Sequence, residues 1–531
     1  MTPTNGARSK LFWQVCRPAC LILTLTAAVY VAVLAVLYYY GTGGTERHHL
    51  ESAWMVLVAL CVLLPLSRQR LGTGTSQLDS PLRPHRHGWA LFLVFVATAL
   101  ALYWSTLGLG LFSDDFILAE WASQHDFWNS HGWGHLRPLP LVAWSGVYAL
   151  LGRDPVWLHI LNLVLHSLNA TLIVLIARRA GLEAAGAVLA GFLFVTLPLL
   201  VEPVAWPSGS HDLWMTTGCL VVVLAASETD WSWRLILAGA FGLLGALFSK
   251  ETGVVAPLLA LVLWFRGRGS LRVAGMQMTM LALGISTAYA VWRMAITPGS
   301  AMFAVWPSRY VAKEIIVRPF ANLGSPWSAA VVSSWPIVPL APVWLLVALL
   351  LWNGWRWHPR APGYHTAIRL ALWVLVGILP VFPFLFVTPM LDGARYLYLP
   401  ACGWAILLAG LGETAWRSLG KRRAVGMAAA AGLVCLWGVG VRWHLQPWQR
   451  AAQARDGILR AAEACLKTPG CGAVSFEGIP DSLDGVYVFR NGFKEALRSR
   501  GQSTERIRFE VERPECRFRW SDGEFVISLN R

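Results

Sequence analysis

Long apolar stretches recur along this chain up to about residue 442, and they constrain its fold more than any other feature. A helix that crosses a bilayer needs about 20 consecutive, mostly apolar residues. The chain is 56% hydrophobic and only 14% charged, whereas soluble domains carry about 25% charged residues. A single water-soluble core stops growing at roughly 250–300 residues. We therefore expect an all-α polytopic membrane protein with about 13 transmembrane helices, at 19–40, 53–67, 89–111, 156–177, 183–201, 211–227, 233–249, 252–265, 273–294, 337–352, 369–389, 396–412 and 424–441.

Basic residues between alternate spans predict the orientation. Cytoplasmic loops of membrane proteins are enriched in Lys and Arg. With a cytoplasmic N-terminus, the odd number of spans places the C-terminal tail outside. The net charge is +15, but the positive charges fall between apolar segments and not along one face, so nucleic acid is not a predicted partner. The basic residues before, between and after the spans on the inner side are Arg8, Lys10, Arg17, Arg68, Arg70, Arg83, Arg86, Arg178, Arg179, Arg266, Arg268, Arg272, Arg356, Arg360, Arg417, Lys421, Arg422 and Arg423.

We divide the chain into three regions. Residues 1–111 hold three predicted spans, and 112–441 form a membrane core whose first outside loop is 112–155. Residues 442–531 are polar and predict a small extracytoplasmic α/β domain. Residue usage rich in Ala, Arg and Trp favours a bacterial inner membrane, with the tail in the periplasm.

Within the tail, Trp448–Leu466 reads as an amphipathic helix. Asp522-Gly523 suits the tight turn of a β-hairpin. In an oxidising compartment Cys465 and Cys471 can form a disulfide, which would leave Cys516 unpaired. The predicted strands are Ala473–Phe476, Val486–Phe489, Arg506–Val511, Cys516–Trp520 and Phe525–Leu529.

Charged residues at the outer ends of the spans need a reason, because charge near a bilayer is costly. Asp114 and Asp115 follow Ser113 at the start of the first outside loop. One of these acids can act as a general base, or the pair can hold a divalent cation. Alternatively, Ser113 caps a helix and the acids favour its dipole. Arg137, in the same loop, can grip a phosphate or snorkel to the interface.

A polar stripe and three further clusters complete the candidates. His159, Asn162, His166 and Asn169 share one helix face, which indicates interhelical hydrogen bonds or a lined site. Lys250 and Glu251 can neutralise each other as an ion pair, or Lys250 can face a lipid phosphate. The other two clusters, again at outer ends of spans, are Glu202 with His211 and Asp212, and Arg395 with Tyr396.

The order of these clusters is familiar. The stretch RPLPLVAWSGVYALLGRDPVWLHILNLVLHSLNA begins at Arg137, and LPLLVEPVAWPSGSHD, LFSKET and RYLYLP follow. This series resembles the GT-C class of membrane glycosyltransferases. It is most similar to the transmembrane O-mannosyltransferases that end in tetratricopeptide repeats, and to their bacterial relatives. The resemblance covers roughly 105–445; the tail stands where the repeats would be, and Ser210-His211 stands where the family usually has a basic residue.

The resemblance implies a sugar donor linked to a polyprenyl phosphate and transfer at the non-cytoplasmic face. It maps the essential acid of the first outside loop to Asp114 and Asp115. It also places Lys250 and Arg395, with Arg137, as candidates for the donor phosphate. Contacts with sugar or acceptor are expected for Glu202, His211, Asp212 and Tyr396.

These expectations combine into one functional hypothesis, with two alternatives. The hypothesis is hexosyl transfer, with inversion, from a polyprenyl-phosphate sugar to a hydroxyl of an unknown glycan, lipid or protein acceptor. Asp114 and Asp115 would be the metal ligands if a divalent cation takes part. A lipid or glycan transporter predicts polar stripes through the full membrane depth. A non-catalytic scaffold predicts that the acids are dispensable.

Overall fold

The computed structural model describes residues 88–128, 136–228, 232–264, 270–296, 322–324, 326–328, 362–381, 387–388, 390–419, 422–469, 474–507, 516–521 and 524–529. The predicted spans 19–40, 53–67 and 337–352 lie outside these residues. By contacts the chain forms two units, one of 1–81 with 290–306 and one of 82–289 with 307–531. All contacts discussed below belong to the second unit.

The described part of the membrane region consists mainly of helices, as the apolar stretches predict. The helices are α1 (Gly88–Tyr103), α2 (Asp114–Gln124), α3 (Pro138–Leu151), α4 (Val156–Arg179), α5 (Ala184–Thr196), α6 (Val201–Ala205), α7 (Ser210–Ala226), α8 (Trp233–Ser249), α9 (Ala256–Trp264), α10 (Ser270–Ile296), α11 (Pro362–Ile378), α12 (Tyr398–Ser418), α13 (Arg423–Leu466) and α14 (Phe493–Ser499). Helix α4 packs on α5 and α7, α12 packs on α5, and α8 packs on α7.

Among the described residues, four helices are long and apolar enough to cross a membrane. These are Gly88–Gly108, Val156–Arg179, Ala394–Arg417 and Arg423–Leu466. A fifth candidate is the pair Ala184–Thr196 and Pro198–Ala205, which is bent by 50°. The other apolar helices are shorter, so the count of thirteen spans stays a prediction.

Two helix breaks place irregular backbone at one end of the bundle. The bend after α5 falls at Pro198, which cannot continue a regular helix. Lys250 ends α8 in an extended conformation, with φ −161° and ψ 139°. Because neighbouring helices alternate in direction, these breaks lie at the same end as the N-termini of α4, α7 and α12. The candidate residues of the sequence lie at this end.

The polar stripe of α4 is hydrogen-bonded to neighbouring helices. Asn169 Nδ2 donates to Leu213 O over 3.1 Å, and Thr217 Oγ1 donates to Asn169 Oδ1 over 2.8 Å. His166 Nδ1 lies 2.8 Å from Tyr398 Oη. In a bilayer such bonds hold helices together. These contacts support the interhelical interpretation of the stripe.

Helix α13 leads from the membrane region into the tail without a break. It has 44 residues, with Pro447 in its interior, and is therefore about 66 Å long at 1.5 Å per residue. The predicted amphipathic helix Trp448–Leu466 is its C-terminal part, so the helix runs across the boundary that we drew at residue 442.

A small sheet follows α13. Its strands are in the order β1 (Val474–Glu477), β4 (Cys516–Ser521) and β5 (Glu524–Leu529), with β1 and β4 parallel. The predicted hairpin is confirmed: β4 and β5 are antiparallel, and Ser521 pairs with Glu524 at the end of the ladder. A second hairpin consists of β2 (Ser482–Leu483) and β3 (Val486–Tyr487).

The predicted cysteine pairing is wrong. Cys516 is disulfide-bonded, whereas Cys465 is a buried free thiol. Cys465 lies near the end of α13, and its helical position sets the direction of its side chain. Sequence spacing to Cys471 carried no information about that direction.

Candidate active site

The two successive acids at the start of α2 have different surroundings. Asp115 is fully buried, and its Oδ2 accepts a hydrogen bond of 2.8 Å from Phe112 N. Its Oδ1 accepts one of 2.8 Å from Ser208 N, and the Ser208 hydroxyl donates to the same atom. Burial raises the pKa of Asp115 to about 8, although these donors act in the opposite direction. Asp115 therefore ties the start of α2 to the segment before α7.

Asp114 is only partly buried. Its Oδ1 accepts hydrogen bonds from Asn491 Nδ2 over 2.7 Å and from the Ser113 hydroxyl over 3.4 Å. Its Oδ2 has no hydrogen-bond partner among the described residues. The capping interpretation of Ser113 is wrong, because its side chain makes no capping bond and its φ is 44°. Of the two acids, Asp114 is the one with a carboxylate oxygen available to a ligand.

Glu202 and Arg395 form a nearly enclosed ion pair. Glu202 accepts hydrogen bonds from Gly393 N over 3.2 Å and from Arg395 N over 2.7 Å, and also contacts the Arg395 guanidinium. The guanidinium carbon lies 5.1 Å from the ring centre of Trp206 and 4.9 Å from that of Tyr396. It lies 5.7 Å from the ring centre of Tyr487, a residue of the tail. Arg395 is thus held by one acid and by aromatic faces.

Lys250 is paired with Asp212 and not with its sequence neighbour Glu251. Its Nζ lies 2.6 Å from Asp212 Oδ1, and both side chains are buried. Glu251 instead binds Arg137, with 2.9 Å between Nη2 and Oε2. The predicted ion pair between Lys250 and Glu251 is therefore wrong. The extended backbone at Lys250 separates the two side chains, because consecutive residues of extended chain point to opposite sides.

Contacts and adjacent positions in the chain join all nine candidate residues, Asp114 as the neighbour of Asp115 and Arg137 through Glu251 beside Lys250. Asp115 contacts Ser208, whose carbonyl oxygen lies 2.7 Å from His211 Nδ1. Trp206 Nε1 donates to Phe112 O over 3.4 Å, and its ring faces Arg395. Tyr396 lies between Arg395 and Lys250, whose Nζ is 4.8 Å from the ring centre. The acids and cations that the sequence placed at separate span ends are neighbours in the structure.

Every cation proposed for a donor phosphate already has an acidic partner. The three pairs are Lys250–Asp212, Arg395–Glu202 and Arg137–Glu251. A buried charge without a partner is costly, which explains why the fold supplies one acid for each cation. A phosphate that enters here must share a cation with an acid or displace the acid.

Three residues near the site were not predicted from the sequence: Asp392 in the segment before Arg395, and Tyr487 and Asn491 in the tail. Asp392 precedes Arg395 in the chain, and its buried Oδ1 has no hydrogen-bond partner in the described part of the protein. Burial, and next the charge of Glu202, raise the pKa of Asp392 to about 6. Asp392 lies at the outer end of a predicted span, as the other candidate acids do, so the same criterion could have identified it from the sequence. Tyr487 and Asn491 belong to the tail, and no motif marks them.

Arg455 of α13 holds the backbone that leads to the acids. Its Nη1 donates to Leu109 O and Leu111 O, each over 2.6 Å. The guanidinium carbon also lies 4.9 Å from the ring centre of Phe112. The residue is buried. The long helix therefore positions the segment immediately before Asp114.

The described residues do not fit a metal site at the acid pair. They contain no group of three or more His, Cys, Asp and Glu side chains that could hold a metal ion. Both oxygens of Asp115 already accept hydrogen bonds. We derive no step through a metal ion.

Ion pairs of a different kind lie at the opposite end of the helices. Arg179 binds Glu228 over 2.6 Å, and Arg417 binds Glu183 over 2.6 Å. These basic residues lie in the last turns of α4 and α12, at the ends that the positive-inside rule assigns to the cytoplasm. The acid-rich end is therefore the one that the sequence predicts to face outward.

A helical membrane protein with acids and cations gathered at one end is the arrangement expected from the resemblance to GT-C class glycosyltransferases. The sequence comparisons confirm that resemblance. The chain is 30% identical to Protein O-mannosyl-transferase Tmtc1 of Drosophila melanogaster over 185 residues, which are 31% of this chain and 21% of that protein. It is 29% identical to Protein O-mannosyl-transferase Tmtc2 of the same organism over 248 residues, which are 41% of this chain and 26% of that protein.

The chain thus matches these relatives over about a quarter of their length. No family model matches it. The oligosaccharyltransferase of Archaeoglobus fulgidus, solved with Zn and sulfate, has a TM-score of 0.43 and 12% identity over 73% of this chain and 60% of its own. ArnT of Cupriavidus metallidurans in the apo state has a TM-score of 0.36 and 18% identity over 77% of this chain and 84% of its own. Likeness at these TM-scores does not establish a common fold.

Proposed function

We propose that this protein is a membrane glycosyltransferase. It transfers a sugar from a polyprenyl-phosphate donor to an acceptor hydroxyl at the extracytoplasmic face, with inversion at the anomeric carbon. The observation that carries the proposal is Asp114. This acid keeps a carboxylate oxygen without a partner in the described residues, at the end of the helices where the paired cations also lie.

In the proposed reaction Asp114 is the general base. Its Oδ2 takes the proton of the acceptor hydroxyl while the hydroxyl oxygen attacks the anomeric carbon. The bond between that carbon and the phosphate oxygen breaks, and polyprenyl phosphate leaves with its electrons. Asp115 is a positioning residue, because both of its oxygens are already engaged.

Lys250 and Arg395 stabilise the charge that develops on the leaving phosphate. Each lies against Tyr396, so a phosphate beside this ring can approach both cations. Arg137 contributes from the far side of Glu251. Since each cation is paired with an acid, phosphate binding loosens at least one of these pairs.

Sugar hydroxyls find acceptors nearby. His211 Nδ1 donates to Ser208 O, which leaves Nε2 as an acceptor in the neutral ring. The free Oδ1 of Asp392 lies beside the Glu202–Arg395 pair. We assign these two groups to the sugar in preference to Glu202 and Asp212, whose carboxylates already hold cations.

The location follows from the tail. A disulfide at Cys516 is typical of an oxidising compartment. Together with the basic residues at the opposite end of the helices, it supports a tail outside the cytoplasm, and we propose the periplasmic side of a bacterial inner membrane.

The test is sugar release from a radiolabelled polyprenyl-phosphate donor by the purified full chain in detergent. Turnover with a hydroxyl acceptor is expected for the wild type and absent in the Asp114→Asn variant. Glu120→Gln is a matched control, because it removes an acid from the same helix away from the cluster. Glu120 pairs with Arg498 on the surface. Equal turnover in Asp114→Asn and wild type would contradict the assignment of the base.

A further inference from the structure

The tail contributes a polar side chain to the acid that we propose as the base. Asn491 Nδ2 lies 2.7 Å from Asp114 Oδ1. We infer that Asn491 is a positioning residue for Asp114, so that the C-terminal domain completes the active site. This inference rests on the proposed function. It assigns a role to the domain beyond covering the membrane core.

Two more hydrogen bonds join the same pair of segments. Asn491 N donates to the Ser113 hydroxyl over 3.2 Å. In the opposite direction, Ser113 N donates to Val488 O over 2.9 Å. The contact between Asn491 and Asp114 is therefore part of a docked backbone, and the side chain meets the carboxylate in a defined register.

The close approach depends on Gly492. This residue has φ +79°, and a Cβ atom on it would lie 2.3 Å from Ser113 O. A side chain there would force the two segments apart. Three residues before it, Phe489 stacks on Phe116 of α2, with 6.3 Å between ring centres. The local sequence of the tail thus fits the start of α2 closely.

The same stretch of the tail also reaches the cation cluster. The Tyr487 ring lies 5.7 Å from the Arg395 guanidinium carbon and 5.7 Å from the ring centre of Trp206. Within a few residues the tail therefore contacts both the acid and the cations. An amide at the acid and an aromatic ring at the cation are more specific contacts than a domain that served only as a cover would need.

The amide of Asn491 acts on one carboxylate oxygen only. It donates to Oδ1 and so fixes the rotation of the carboxylate, with Oδ2 left for the acceptor hydroxyl. A hydrogen bond to an ionised carboxylate is stronger than one between neutral groups. Small errors in the placement of a reacting group reduce the rate strongly. We expect kcat to fall about tenfold without the amide, while KM for the donor stays unchanged.

The experiment compares Asn491→Ala and Asn491→Asp with wild type in the full chain, measuring kcat and donor KM from pH 5 to pH 8. Asn491→Asp should be the slower variant at pH 8, because it places a second negative charge against Asp114. Its rate relative to Asn491→Ala should rise towards pH 5, where a protonated carboxyl regains a donor. The same repulsion would also weaken docking of the domain, so Asn491→Ala, which adds no charge, is the variant that is compared with a docking control.

Arg450→Ala is the matched control. Arg450 pairs with Asp484 over 2.6 Å and joins α13 to the same domain without touching Asp114. It should keep wild-type kcat. The inference is overturned if wild type turns over and Asn491→Ala has the same kcat, or if Arg450→Ala loses as much. Absence of turnover in wild type would instead overturn the proposed function, and the inference with it.

Discussion

The buried pair of Lys250 and Asp212 allows a sharp test of phosphate binding. If Lys250 receives the donor phosphate, Asp212 competes with the donor for the same ammonium group, from 2.6 Å away. Asp212→Asn removes the competing charge and keeps the shape of the side chain. We expect this variant to bind polyprenyl phosphate more tightly than wild type does.

The magnitude follows from the burial of the pair. The side chains of Lys250 and Asp212 are 6% and 5% exposed, and removing one partner of a buried pair costs about 3–5 kcal/mol. The Asn amide oxygen still accepts a hydrogen bond from Lys250, so we count roughly half of this as lost, about 2 kcal/mol. A bound phosphate that restores most of it lowers Kd at least tenfold, since about 1.4 kcal/mol corresponds to a factor of ten.

The assay is titration of the purified protein in nanodiscs with a short polyprenyl phosphate, followed by tryptophan fluorescence. Lys250→Met should lose affinity, and the double variant should resemble Lys250→Met. Glu228→Gln frees Arg179 at the opposite end of the helices and serves as the control. Unchanged or weaker binding by Asp212→Asn, or an equal gain in the control, would refute the role of Lys250.

Three further predictions concern the supports of the site. Burial raises the pKa of Asp115 from 3.8 to about 8, so the folded state keeps a proton that the unfolded chain releases, and stability should fall by about 1.4 kcal/mol per pH unit across that window. Unfolding temperatures measured from pH 4 to pH 8 should decline more steeply for wild type than for Asp115→Asn; parallel curves would contradict this. Glu202→Gln should lower the unfolding temperature, because it leaves the partly buried Arg395 guanidinium without its acid; the amide oxygen still accepts a hydrogen bond, so we expect a loss of about 2 kcal/mol; normal thermal stability would show that the pair is not needed. Arg455→Lys should lower kcat in the sugar-release assay, because the lysine side chain is one bond shorter and lacks the Nε and Nη2 donors with which Arg455 also binds Asp456; wild-type kcat would contradict the proposed support of the acid segment.

The gathering of the candidate residues could be predicted from sequence. Asp114, Lys250 and Arg395 each follow or precede an apolar stretch at an end that the basic loops assign to the outside. Alternation of helix direction then brings such ends together whatever the details of packing. In the structure, these ends are brought together by the contacts that lead from Asp115 to Arg137.

The pairing within the cluster could not be predicted. Lys250 and Glu251 are neighbours in sequence, yet each pairs with a residue far along the chain. The choice depends on the extended backbone of Lys250. Likewise, no motif indicates that Asn491 meets Asp114, because that contact depends on how the tail docks. Periodicity predicts which end of a helix a residue occupies, whereas partner choice depends on local dihedral angles.

The uninterrupted length of α13 has a mechanical consequence. Each residue of an α-helix turns its successor by about 100° and advances it by 1.5 Å. One alanine inserted between Trp443 and Arg450 would therefore swing Arg455 about a quarter turn away from the carbonyls that it holds. Four inserted residues nearly restore the angle, at about 40° from the original, but lift the domain by about 6 Å. The membrane segment and the tail are joined by one continuous helix and not by a flexible linker. The rotation of that helix about its axis therefore decides whether the tail contacts Asp114.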